Sequence, residues 1–172
     1  PETKVFAGAS RPLVRHLVTA EYVHGKTGLD GPDLPDPRMQ LQPQHAVDFI
    51  VETLMREEPG TVTLCPLGPL MNIALALIRE PKIAPRIQEI VLMGGGFFEG
   101  GNVTPAAEFN IYVDPHAADV VLKSAASMRF VSSARKSAMP PSRFWSFSSA
   151  LTKKNTAPRV ARCMILASSP IC

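Results

Sequence analysis

The chain has 172 residues, 45% of them apolar and 19% charged, which is enough for one domain with a real core. Its formal charge is only +3, and the basic residues are scattered except near the C-terminus, so no phosphate-tracking stripe is present and nucleic acid is not an expected partner. No apolar run approaches the roughly 20 residues of a membrane span, PETKVFAGAS lacks the design of a secretory leader, and Cys65, Cys163 and Cys172 form neither a paired framework nor a CxxC spacing, so a reducing cytoplasm fits.

The first two-thirds of the chain alternates strand and helix signals. Val5 and Phe6 read as the end of a strand. A long loop follows, carrying HGKTGLDGP from His24 to Pro32, whose glycines and proline mark it as a functional loop or lid. In AVDFIVETLMREE, after His45, helical spacing predicts that Val47, Ile50, Val51, Leu54 and Met55 share one face, and Pro59-Gly60 stops the helix. Thr61 to Pro66, TVTLCP, is a β-rich apolar strand; Gly68-Pro69 then opens a second helix, PLMNIALALIRE. EIVLMGG is the next buried strand, and Asp114-Pro115 opens the helix PHAADVVLK with the aspartate as N-cap. This alternation predicts an α/β fold, a mostly parallel sheet with helices on both faces. Ligands of such sheets sit beyond the carboxyl ends of the strands.

The chemistry is concentrated in VLMGGGFFEGGNVTPAAEFNIYVDP, from Val91 to Pro115. Gly94 to Gly96 let the backbone turn after an apolar strand. Asn102, Glu108 and Asn110 can then converge, with Phe109 as an apolar wall among them. Amide and carboxylate groups suit a polyhydroxylated ligand, because each hydroxyl both donates and accepts, and a ribose is the natural candidate. Turn and cap chemistry offers plainer roles for several of these residues: His24 beside Gly25 as a turn histidine, Asn102 after Gly101 as a turn residue, Asp30 in LDGP likewise, and Glu108 and Asp114 as solvated acids at helix starts.

HGKTGLDGP, CPLGPLMNIALAL, EIVLMGGG and GNVTPAAEFNIYVDPHAA, in this order and spacing, resemble the inosine-uridine preferring nucleoside hydrolases over roughly Val5 to Lys123. The resemblance implies a Rossmann-like fold and cleavage of the N-glycosidic bond of ribonucleosides to ribose and free base, with a calcium ion at the bottom of the pocket. It places Asn102, Glu108 and Asn110 on the ribose hydroxyls, Phe109 against the sugar, His24 near the base as a catalytic group, and the Leu67 backbone carbonyl on the calcium. Family members often form dimers or tetramers, so a homo-oligomer is an expectation.

Two departures from the family stand out. The aspartate-rich DxDPGxDD run with which members begin, and which supplies most calcium ligands, does not occur in this sequence. Residues 1–123 therefore read as a partial hydrolase domain whose sheet lacks its first strand and exposes an apolar edge. Residues 124–172 diverge and are rich in Ser, Arg and Lys. Pairing the third base of each codon with the first two of the next from Lys153 onward lets permitted codons spell EKYGSEGGPLHDPCVIAYL. Its Asp is forced, because Met164 ends in G and Ile165 begins AT. HDPCVIAYL is much like the family's C-terminal motif, so the tail reads as frame-shifted and is expected to be irregular. A catalytically inactive remnant with residual ribose binding is the alternative to a working hydrolase.

Overall fold

The computed structural model describes residues 3–25, 39–96, 100–124, 126, 128–131 and 162–166. Most of the loop from His24 to Pro32, including Asp30, and most of the tail lie outside these residues. A short parallel pair, β1 (Val5–Phe6) and β2 (Leu41–Gln42), stands beside a four-stranded sheet. The larger sheet contains β3 (Val62–Pro66), β4 (Ile87–Met93), β5 (Met128–Val131) and β6 (Arg162–Leu166) in the order β5-β4-β3-β6, every pairing parallel. A four-residue helix, α1 (Glu21–His24), precedes β2, and α2 (Ala46–Arg56) leads into β3. Between β3 and β4 run α3 (Met71–Arg79) and a 3-10 helix (Pro81–Arg86). Between β4 and β5 come α4 (Phe109–Val113) and α5 (Pro115–Lys123). The α/β class and the parallel sheet are those expected from the alternating pattern.

The long helices follow the spacing of their apolar residues. Val47, Ile50 and Leu54 of α2 are buried, Val51 is partly so, and Met55 is 42% exposed. One step past Leu54 turns about 100° around the helix, which carries Met55 off the stripe. The His45 ring Nδ1 accepts the Val47 N–H at 3.2 Å and starts the helix. Helix α3 packs between α2 and α5, so these three form a continuous layer on the sheet. Their buried face meets Leu64 of β3 and Ile90 and Leu92 of β4, while Ile83 of the 3-10 helix closes the end of the same cluster. Burial of each such side chain contributes about 1.5–3 kcal/mol.

The edge of β3 is not left open. Val62–Pro66 pairs in register with Arg162–Leu166, so this part of the tail is a strand where irregular chain was expected. RCMIL is an apolar run of the tail, and an edge strand whose backbone groups lack partners accepts any extended segment that reaches it.

Candidate functional site

In parallel strands all carboxyl ends lie on one side, so Leu67 after β3 and Gly94 after β4 sit on the same edge of the sheet. The turn at Gly95 has φ +84°, a conformation glycine adopts without a Cβ penalty. The chain then folds through a compact turn, with Val103 and Thr104 donating backbone bonds to the Ala107 carbonyl and an antiparallel bridge between Thr104 and Ala107. Gly101 passes so close to this turn that a Cβ there would meet the Ala107 carbonyl oxygen at 2.0 Å. Helix α4 starts immediately afterwards and brings the sequence-predicted residues back to the glycine turn.

Glu108 is 3% exposed and works on two elements at once. Its Oε2 accepts the Gly95 N–H at 3.0 Å and the Ile111 N–H at 3.4 Å, pinning the glycine turn and capping α4. No described residue takes Oε1. Asn110, 8% exposed, donates from Nδ2 to the Met93 carbonyl at 2.9 Å, which ties the first turn of α4 to the end of β4. The side-chain oxygen of exposed Asn102 accepts the Phe109 N–H at 2.9 Å, and Phe109 itself is half-buried. The plainer reading of Glu108 as a helix-start acid is therefore correct in its cap and wrong in its solvation. Burial leaves its free oxygen fixed in place.

Glu108 and Asn110 are thus tied to the end of β4 and its glycine turn, and Asn102 to the start of α4. The exposed His24 ends α1, a helix that buries no residue, and its backbone N–H donates to the Ala20 carbonyl. Leu67 directly follows β3 at its carboxyl end and is 50% exposed. Calcium takes six to eight oxygen ligands. Among the described residues no group of three or more His, Cys, Asp or Glu side chains could hold a metal ion.

Sequence reasoning missed Asn72 and understated Asp114. Asn72 is a buried polar residue in the apolar run MNIALAL, which is itself the signal, and its Oδ1 accepts the Ala9 N–H at 2.9 Å. Asp114, 1% exposed, caps α5 through Oδ1 to the Ala117 N–H at 3.0 Å, as expected of a residue before Pro115. Its Oδ2 also accepts the Leu13 N–H at 2.9 Å, a contact across 101 positions that local pattern cannot reveal.

The model of the inosine-uridine preferring nucleoside hydrolase family matches residues 1–165. The chain belongs to that family. Its 55% identity to the pyrimidine-specific ribonucleoside hydrolase RihA of Photobacterium profundum extends over 120 residues, 70% of this chain and 38% of the relative. An uncharacterized protein of Schizosaccharomyces pombe is 55% identical over 124 residues, 72% of this chain and 40% of that protein. Among solved structures, the purine-preferring ribonucleoside hydrolase from Gardnerella vaginalis superposes with a TM-score of 0.70 at 34% identity, covering 77% of this chain and 43% of that one. The chain thus spans about two-fifths of the length of these relatives. No helix of the described residues is long and apolar enough to cross a membrane.

Proposed function

We propose that the chain carries the ribose-binding rim of a ribonucleoside hydrolase, which cleaves the N-glycosidic bond to ribose and free base. The observation that carries this reading is Glu108: one carboxylate oxygen is locked by two backbone N–H groups, and no described residue takes the other. Such an acceptor is pre-organised, so little ordering is lost when a sugar hydroxyl donates to it. Asn110 has its amide nitrogen committed to Met93, which leaves its oxygen to accept a second hydroxyl; Asn102 keeps its amide N–H groups to donate. Phe109 would lie against the sugar face, and His24 would approach the base as the group assisting its departure. Cleavage passes through an oxocarbenium-like sugar, and acceptors that bind its hydroxyls more tightly as charge develops accelerate the step.

Calcium belongs to the proposal through the family. The Leu67 carbonyl would be one ligand, and the remaining oxygens would have to come from polypeptide other than the residues described. The substrate is proposed as a ribonucleoside of either base class, since the matched relatives include a pyrimidine-specific and a purine-preferring enzyme. The proposal includes a reducing cytoplasm, where the buried Cys65 stays outside any disulfide, and association into a homo-oligomer. A second reading is ribose binding without turnover. Ribose release from uridine and inosine in calcium-containing buffer decides between them. Turnover that Glu108→Gln abolishes supports the hydrolase; saturable binding without turnover supports the second reading; neither binding nor turnover refutes both.

A further inference from the structure

After β1 the chain crosses the ligand edge as a strap, from Gly8 to Arg15. It passes the start of α3, just beyond the carboxyl end of β3, and reaches the corner between α4 and α5. Apolar packing does little to hold it, because Pro12 is the only buried residue from Ala7 to Arg15 and Val14 is 68% exposed. Polar contacts hold it instead. Asn72 Oδ1 takes the Ala9 N–H, and Gly8 lies so close to Asn72 that a Cβ there would be 2.5 Å from its Nδ2. Asp114 Oδ2 takes the Leu13 N–H; the Arg15 guanidinium donates to the Tyr112 carbonyl and stacks over the Tyr112 ring at 4.4 Å.

We propose that Asp114 and Asn72 are positioning residues that fix this strap against the ribose rim, and that Asp114 couples the two directly. The inference rests on the ribonucleoside reading of the rim. A single buried carboxylate divides its oxygens between two elements: Oδ1 fixes the start of α5, and Oδ2 fixes the strap. Asp114 follows α4 without a break, and α4 begins with the Phe109 and Asn110 of the rim. Neither Asp114 nor Asn72 needs to touch the sugar. Their effect is to set the distance between the strap and α4, and so the width of the site on that side.

The two jobs of Asp114 can be separated. Asp114→Ser keeps a hydroxyl that caps a helix well, but one short oxygen cannot also reach the Leu13 N–H. Asn72→Asp retains the acceptor for Ala9, whereas Asn72→Leu removes it. The experiment measures amide hydrogen exchange and uridine affinity on the full chain for the wild type and all three variants. Asp114→Ser is expected to expose the Leu13 amide, and with it that of Ala9, to exchange roughly tenfold faster or more while Ala117 stays protected, and to weaken uridine binding at least about tenfold. Asn72→Leu is expected to behave likewise and Asn72→Asp to bind uridine as the wild type does. Unchanged strap protection in Asp114→Ser overturns the clamp, and lost protection with unchanged affinity overturns the coupling to the rim. Absence of uridine binding by the wild type is a failure of the ribonucleoside reading and takes the coupling to a sugar site with it; the exchange measurement still decides the clamp.

Discussion

Replacing Glu108 separates its structural role from its proposed role toward the sugar. Glu108→Ala leaves the Gly95 and Ile111 N–H groups without the carboxylate oxygen that accepts them at 3.0 and 3.4 Å. The contact to Ile111 is a helix N-cap worth about 1 kcal/mol, and its length places it at the low end of that scale. The contact to Gly95 is made by a charged acceptor, worth about 1.5–3 kcal/mol. Together they predict a loss of about 2–3.5 kcal/mol, which for a urea m-value of about 2 kcal/mol/M lowers the denaturation midpoint by roughly 1–2 M. Glu108→Gln keeps a carbonyl oxygen for the same two donors, so its stability cost is about 1 kcal/mol, the difference between a charged and a neutral acceptor. The charge facing the sugar is gone, however, and ribonucleoside binding should weaken by about 1.5–3 kcal/mol, roughly 10- to 150-fold. Urea titration followed by circular dichroism gives the first quantity and calorimetric titration with uridine the second. A Glu108→Ala variant as stable as the wild type would refute the structural role, and undiminished uridine binding by Glu108→Gln would refute the role toward the sugar.

Three other perturbations probe the frame around the site. Asn110→Asp turns the donor to the Met93 carbonyl into a second acceptor, and a midpoint unchanged in urea would contradict the predicted loss of about 1–3 kcal/mol. Gly101→Ala drives a Cβ into the Ala107 carbonyl, so the Gly100–Glu108 turn must open; faster amide exchange at Val103 and Ala107 is the expected signature, and wild-type protection there would count against the geometry. Truncation after Val131 removes β6 and opens the Val62–Pro66 edge, so sedimentation should show association beyond that of the full chain at equal concentration; a truncated chain that associates no more than the full chain would show that β6 does not protect that edge.

Period and turn chemistry carried much of the fold. The apolar stripe of α2, the strand at Val62–Pro66 and the Asp114 cap can be read locally because each depends on neighbours within a few residues. The return of Glu108 and Asn110 to the end of β4 is legible for the same reason, since one glycine turn and one short helix suffice for it. What local pattern does not contain are the partners supplied from far along the chain. Glu108 reads equally well as a solvated acid until Gly95 is seen to donate to it. Asp114 gives no hint of Leu13, and RCMIL gives none of its place beside β3. Met55 marks the limit of the periodicity argument itself, because the edge of an apolar stripe is set by how far the opposing layer extends.

Recognition of a ribose by its hydroxyls is the role proposed for the Val91–Pro115 rim. The most direct test is to titrate the full chain, in calcium-containing buffer, with uridine and with 2′-deoxyuridine. Acceptors left without a hydroxyl cost free energy, so uridine should bind saturably, 2′-deoxyuridine roughly tenfold or more weakly, and the difference should shrink in Glu108→Gln. Equal affinity for the two nucleosides, or no saturable binding of either, would contradict it.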